Sequence, residues 1–271
     1  MSTAPLVTAE ILERNNVTLG GDPNGRPMLF AHGFGCSQAM WRHVAPDFAD
    51  HRTVRLDYVG AGGSVLSYYD AGRYDSLHGY VDDVIEVIEA LGLSDVVFVG
   101  HSVSSMVGVL AAARRPDLIS ALVLVGPSPR YVNDGDYVGG FEQADIDGLL
   151  DSLEANYLGW SATMAPAIIG NPERPELGSE LTDSFCAVDP EIARQFARVT
   201  FLSDNRADLE SVRVPTLILQ ASDDIIAPLQ VGQFVHERIQ GSTLALLDST
   251  GHLPHLSDPG EVSRAIRAFI E

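Results

Sequence analysis

The 271-residue chain contains no lysine: all 17 of its basic residues are arginine. Schiff-base chemistry and the phosphate-binding lysine of a P-loop have no residue to use, so pyridoxal enzymes and Walker-type nucleotidases are excluded. Cysteine is almost as scarce. Cys36 and Cys186 are too few for a disulfide scaffold and lack the C-x-x-C spacing of a zinc or redox site, so both are expected to be buried free thiols. Positive charge is also in short supply. With 37 acidic residues against 17 basic ones the net charge is −20, which repels nucleic acid and anionic membrane surfaces. No run approaches the roughly 18 consecutive apolar residues of a membrane helix, and Met1 to Leu12 has no positive segment followed by an apolar stretch. The expectation is a soluble, cytoplasmic protein with no cofactor and with neither nucleic acid nor membrane as partner.

What the chain does have is a rhythm of short apolar, β-branched runs between helical patterns. Met28 to Ala31, Thr53 to Asp57, Val96 to Gly100, Ala121 to Val125, Thr216 to Gln220 and Leu244 to Asp248 fit buried parallel strands. Val17 and Leu19 add an antiparallel edge strand. Tyr80, Val84, Val87, Ile88 and Leu91 form an apolar helical stripe with acidic residues facing away. The alternation predicts an α/β fold, a mainly parallel sheet covered by helices on both faces. It fails over residues 127–211, where Ile146, Leu149, Leu150, Leu153 and Tyr157 share one helical face and Ile192, Phe196 and Val199 another. That segment reads as a helical lid inserted into one structural unit whose core is residues 1–126 and 212–271.

Three segments carry chemistry. Gly100-His101-Ser102-Val103-Ser104 ends a buried strand before a helix-prone stretch, the place of a nucleophile elbow, although Ser104 replaces the last glycine of G-x-S-x-G. A strained turn there lifts the Ser102 hydroxyl clear of the sheet, and the next N–H faces a developing oxyanion. A Gly-x-Ser turn without chemistry is the alternative. Asp223 and Asp224 follow a late strand, and Asp224 is preferred as the acid because it begins D-x-x-x-P, ending at Pro228. His252 follows the last strand. The order Ser102, Asp224, His252 is that of the α/β-hydrolases. His32-Gly33-Phe34-Gly35 follows the first core strand, so the Phe34 and Val103 N–H groups are expected to form the oxyanion hole, with His32 structural. His252 and His255 form an H-x-x-H, but no ligand cluster accompanies it, so a metal is not expected.

On these motifs, together with Ser128-Pro129-Arg130-Tyr131, Gly139-Gly140-Phe141-Glu142 and Gly251-His252-Leu253-Pro254, the chain resembles the α/β-hydrolase superfamily. Within it, the chain is similar to the RsbQ-like subgroup and to the plant karrikin and strigolactone receptors. The resemblance implies a lid of four helices inserted after the sixth strand, above an apolar pocket. It places Tyr131, Phe141, Trp160, Met164, Phe185, Phe201 and Ile225 in the substrate-binding wall with Phe34. It also implies a small hydrophobic ester, lactone or enol ether as substrate, and a regulatory partner of the sensor phosphatase or kinase type. A ligand receptor with slow or incidental turnover, or a C–C hydrolase or cofactor-free perhydrolase, would use the same fold.

Overall fold

A computed structural model describes residues 8–271. In chain order the elements are α1 (Thr8–Arg14), β1 (Thr18–Gly21), β2 (Pro27–Ala31), β3 (Arg52–Arg55), α2 (Leu77–Ala90), β4 (Val96–His101), α3 (Val103–Arg114) and β5 (Ile119–Val125). Four helices follow, α4 (Gln143–Ala155), α5 (Tyr157–Ile169), α6 (Pro175–Cys186) and α7 (Pro190–Phe201). The chain then returns through β6 (Thr216–Asp223), α8 (Leu229–Arg238), β7 (Thr243–Thr250), α9 (Pro254–Ser257) and α10 (Pro259–Ile270).

The strands form one sheet in the order β1-β3-β2-β4-β5-β6-β7, parallel throughout except for the β1 edge. Alternate residues of each strand serve opposite faces. Met28 and Phe30 pack with Trp41, Phe48, Val262 and Ile266, whereas Leu29 and Ala31 join the core under α2 and α3 that includes Val84 and Val107. Both faces of the central strands are therefore buried, which is why they read as continuous apolar runs, whereas β7, expected to be buried, lies at the sheet edge and is mostly exposed or half-buried. Because β5 pairs directly with β6, the four helices between them leave and rejoin the sheet without interrupting it.

Several expectations need correction. The insertion follows the fifth strand, because among the described residues only the β1 edge strand precedes β2. Cys36 is buried but Cys186, at the end of α6, is exposed. Tyr157 does not continue the α4 stripe. Asn156 breaks the helix at φ −155°, and its side chain accepts from the Gly159 N–H to start α5. Strand β3 stops at Arg55, freeing the buried Asp57 to accept from Gln38 N (2.7 Å), Asn16 Nδ2 (2.7 Å) and Gly63 N (2.9 Å). Among the described residues no helix is long and apolar enough to cross a membrane.

Candidate active site

Ser102 sits between β4 and α3 with φ 56° and ψ −123°, a conformation that non-glycine residues rarely hold. The turn is pinned by the Ser102 N–H donating to the Val125 carbonyl at 2.8 Å. The seryl Oγ lies 2.8 Å from His252 Nε2, and His252 Nδ1 lies 2.7 Å from Asp224 Oδ2. With Asp224 as carboxylate, Nδ1–H donates to it and Nε2 is free to accept the seryl proton. The other carboxylate oxygen, Asp224 Oδ1, accepts from Ile226 N (2.8 Å) and Ala227 N (3.0 Å). Asp223 is exposed at the end of β6, and its carbonyl accepts from the Gly251 N–H. All three members of the chain Ser102, His252, Asp224 are buried.

Around them stand three further imidazoles. His101 donates from Nε2 to the His252 carbonyl at 2.8 Å, and its ring lies 4.4 Å from His255, which stacks on Trp41 at 4.3 Å. Burial lowers the pKa of His32 and that of His101, and pushes that of His255 down to about 3, so these rings stay neutral. His255 thus packs against an indole rather than pairing with His252. Among the described residues no group of three His, Cys, Asp or Glu side chains could hold a metal ion. Val103 is the first residue of α3, so its N–H is one of the helix's unpaired donors, and Phe34 shares the cavity wall with Ser102.

That cavity has a volume of about 30 Å³ and is lined mainly by apolar side chains. Phe34, Tyr131, Trp160, Phe185 and Phe201 line it as expected, and Phe34 touches Trp160, Phe185 and Phe201 at centroid distances of 5.8–6.2 Å. Three expected residues do not. Ile225 is 49% exposed, because the turn around Asp224 sends Ile226 inward instead. Phe141 is half-buried and bridges by backbone to the Tyr131–Asn133 loop. Met164 packs half-buried against the core between Trp160 and Ile168. Residues the sequence reading missed are Cys36, Ile168, Leu181, Thr200, Ile226 and Leu253. The spacing of Ile168 from Trp160, two helical turns along α5, was a usable signal; the others carry none. Wider clefts of about 660 Å³ between α5 and α6, and between α2 and α7, are more open to solvent and hold none of the Ser102, His252 or Asp224 side chains.

The lid touches the site through its backbone. The His252 N–H donates to the Ile168 carbonyl at 2.9 Å, so the last turn of α5 holds the loop that carries the imidazole. Gly251 makes this approach possible: at φ +85° a Cβ would stand 1.9 Å from the Ile169 carbonyl oxygen.

The sequence profile described as the alpha/beta hydrolase family matches residues 28–265. The chain is 39% identical to the strigolactone esterase D14 of Arabidopsis thaliana, over 95% of this chain and 96% of that one. It is also 39% identical to the karrikin insensitive 2 receptor CA of Petunia hybrida, over 92% and 93% of the two chains. A solved hydrolase structure from Oleispira antarctica superposes with a TM-score of 0.95 at 39% identity, covering 99% of each chain. The resemblance read from the motifs thus extends over nearly the whole molecule, and with the profile running from β2 into α10 the chain belongs to the alpha/beta hydrolase family.

Proposed function

We propose that the protein is a serine hydrolase acting on a small hydrophobic ester, lactone or enol ether. The observation that carries the reading is the buried relay from Ser102 Oγ through His252 to Asp224, opening on an apolar cavity. His252 Nε2 takes the seryl proton as Oγ attacks the substrate carbonyl, and Asp224 stabilises the imidazolium. The Phe34 and Val103 N–H groups receive the oxyanion. His252 then gives its proton to the leaving alkoxide, and water attacks the acyl-enzyme by the same route in reverse. Relatives named as esterases support the class of reaction. Hydrolysis of p-nitrophenyl acetate by the purified protein, lost in Ser102→Ala and in His252→Ala, tests it; activity retained in either variant contradicts it.

A receptor reading with slow turnover is favoured by the relatives named as receptors, and a closed cavity gives such a receptor something to report. Small-molecule sites commonly enclose roughly 300–1,000 Å³, so at about 30 Å³ this one admits a ligand only if lid and core part. Occupancy would then be reported by the lid, in a regulatory role with a sensor phosphatase or kinase as partner, and relatives named as receptors support that role. Pre-steady-state product release separates the two. Many equivalents per protein support an enzyme, and a single equivalent followed by a lasting shift in Tm supports a receptor.

A further inference from the structure

Ser104 occupies the place of the last glycine in the elbow motif, and its side chain is wholly buried. Its Oγ donates to the His32 carbonyl at 2.5 Å. A carbonyl only accepts, so the one seryl proton is used there, and the Tyr58 hydroxyl 2.8 Å away must donate to Ser104 Oγ. The Tyr58 backbone N–H in turn donates to His32 Nε2 at 3.2 Å. That leaves the imidazole proton on Nδ1, from which it is donated to the Gly33 carbonyl at 2.8 Å. Tyr58, Ser104 and His32 therefore close a buried circuit of three hydrogen bonds, and a fourth runs from it to the Gly33 carbonyl. Burial lowers the imidazole pKa of His32 and raises the phenol pKa of Tyr58, so neither changes charge near neutral pH.

The circuit grips two successive peptide groups, through the carbonyls of His32 and Gly33. The Gly33 carbonyl is held a second time by the Cys36 N–H at 3.2 Å. In a trans peptide the N–H points opposite to the C=O, and there is no cis bond in the described chain. With the Gly33 carbonyl fixed toward the His32 ring, the N–H of the same peptide, that of Phe34, is fixed away from it. Phe34 and Ser102 line the same cavity.

We propose that Ser104, backed by Tyr58, is a positioning residue that sets the Phe34 oxyanion donor through His32 and so locks the oxyanion loop to the helix that begins beside the nucleophile. The inference rests on reading Ser102 as nucleophile and Phe34 N–H as oxyanion donor. A serine here is therefore more than a small residue that lets α3 approach β4, which glycine or alanine would also do.

The test compares wild type, Ser104→Ala, Tyr58→Phe and the Ser104→Ala/Tyr58→Phe double variant on p-nitrophenyl acetate, with Tm measured for each. Ser104→Ala is expected to lower kcat by roughly tenfold to a hundredfold with KM little changed, because the lost stabilisation belongs to the transition state. Affinity for a trifluoromethyl ketone, which presents an oxyanion when bound to serine, should fall by the same factor. Tyr58→Phe should have the smaller effect, since Ser104 still reaches the His32 carbonyl. In the double variant the stranded phenol hydroxyl is gone, so part of any lost Tm returns, but kcat stays low because nothing holds that carbonyl. Recovery of kcat together with Tm, or an unchanged kcat in Ser104→Ala, overturns the proposal and leaves Ser104 a packing residue. If Ser104→Ala does not fold, the double variant carries the same comparison. Wild type that neither hydrolyses the ester nor binds the ketone would instead overturn the nucleophile assignment on which the inference stands.

Discussion

Adjacent aspartates have different fates because the chain turns between them. Asp224 gives one oxygen to His252 and the other to two backbone N–H groups, whereas the Asp223 side chain faces solvent. Asp224→Asn should lower kcat by on the order of ten-thousandfold, as loss of the acid does in such relays, while Asp223→Asn should remain within a few-fold of wild type. Steady-state kinetics on one ester checks both, and the reverse pattern would move the relay by one residue. At this scale the sequence was legible where a side chain follows an apolar strand, as Ser102, Asp224 and His252 do. It was not legible at Ile225 and Ile226. Loops lack periodicity, and a carboxylate capping two successive N–H groups decides which isoleucine turns inward.

The central strands were readable because burial on both faces leaves apolar runs; the β1 edge, which pairs antiparallel with β3 and is largely exposed, carried only the alternation of Val17 and Leu19. Periodicity alone made the lid readable as helical, and its four helices were implied by the resemblance and not by the apolar pattern. The apolar stripe of α4 passes smoothly into Tyr157, and only the Asn156 cap marks the break. Whether lid aromatics read the ligand or merely hold the lid together is a question about elements. Trp160 and Phe201 both flank Phe34 at the cavity wall. In Trp160→Ala and Phe201→Ala, labelling of Ser102 should stay within a few-fold of wild type while the preference among acyl lengths changes. An unchanged length profile with a large fall in Tm, the result of about 3–5 kcal/mol of lost packing, would contradict a role in ligand choice. The α5 contact gives a second prediction. Gly251→Ala should lower kcat, because its methyl would collide with the Ile169 carbonyl and displace the His252 N–H from Ile168. Wild-type kcat in that variant would show that the loop does not depend on α5.

For the whole molecule, the buried imidazoles tie stability to pH. His255 has a folded pKa of about 3 against an unfolded value near 6.5, and His32 and His101 shift in the same direction. Between those values the unfolded chain binds protons that the folded one refuses, so stability is undiminished above about pH 6.5 and falls as pH drops toward 3. Each such group contributes a slope of up to about 1.4 kcal/mol per pH unit. His255→Phe keeps a ring against Trp41 and should flatten the fall of Tm between pH 6.5 and 4; parallel curves would contradict this. The proposed chemistry depends on one nucleophile among the many serines of the chain. Intact-mass spectrometry after treatment with a fluorophosphonate, followed by peptide mapping, is its most direct test. One adduct per protein is expected, on Ser102, absent from Ser102→Ala and strongly slowed in His252→Ala. An adduct on another residue, or equal labelling of Ser102→Ala, would contradict it.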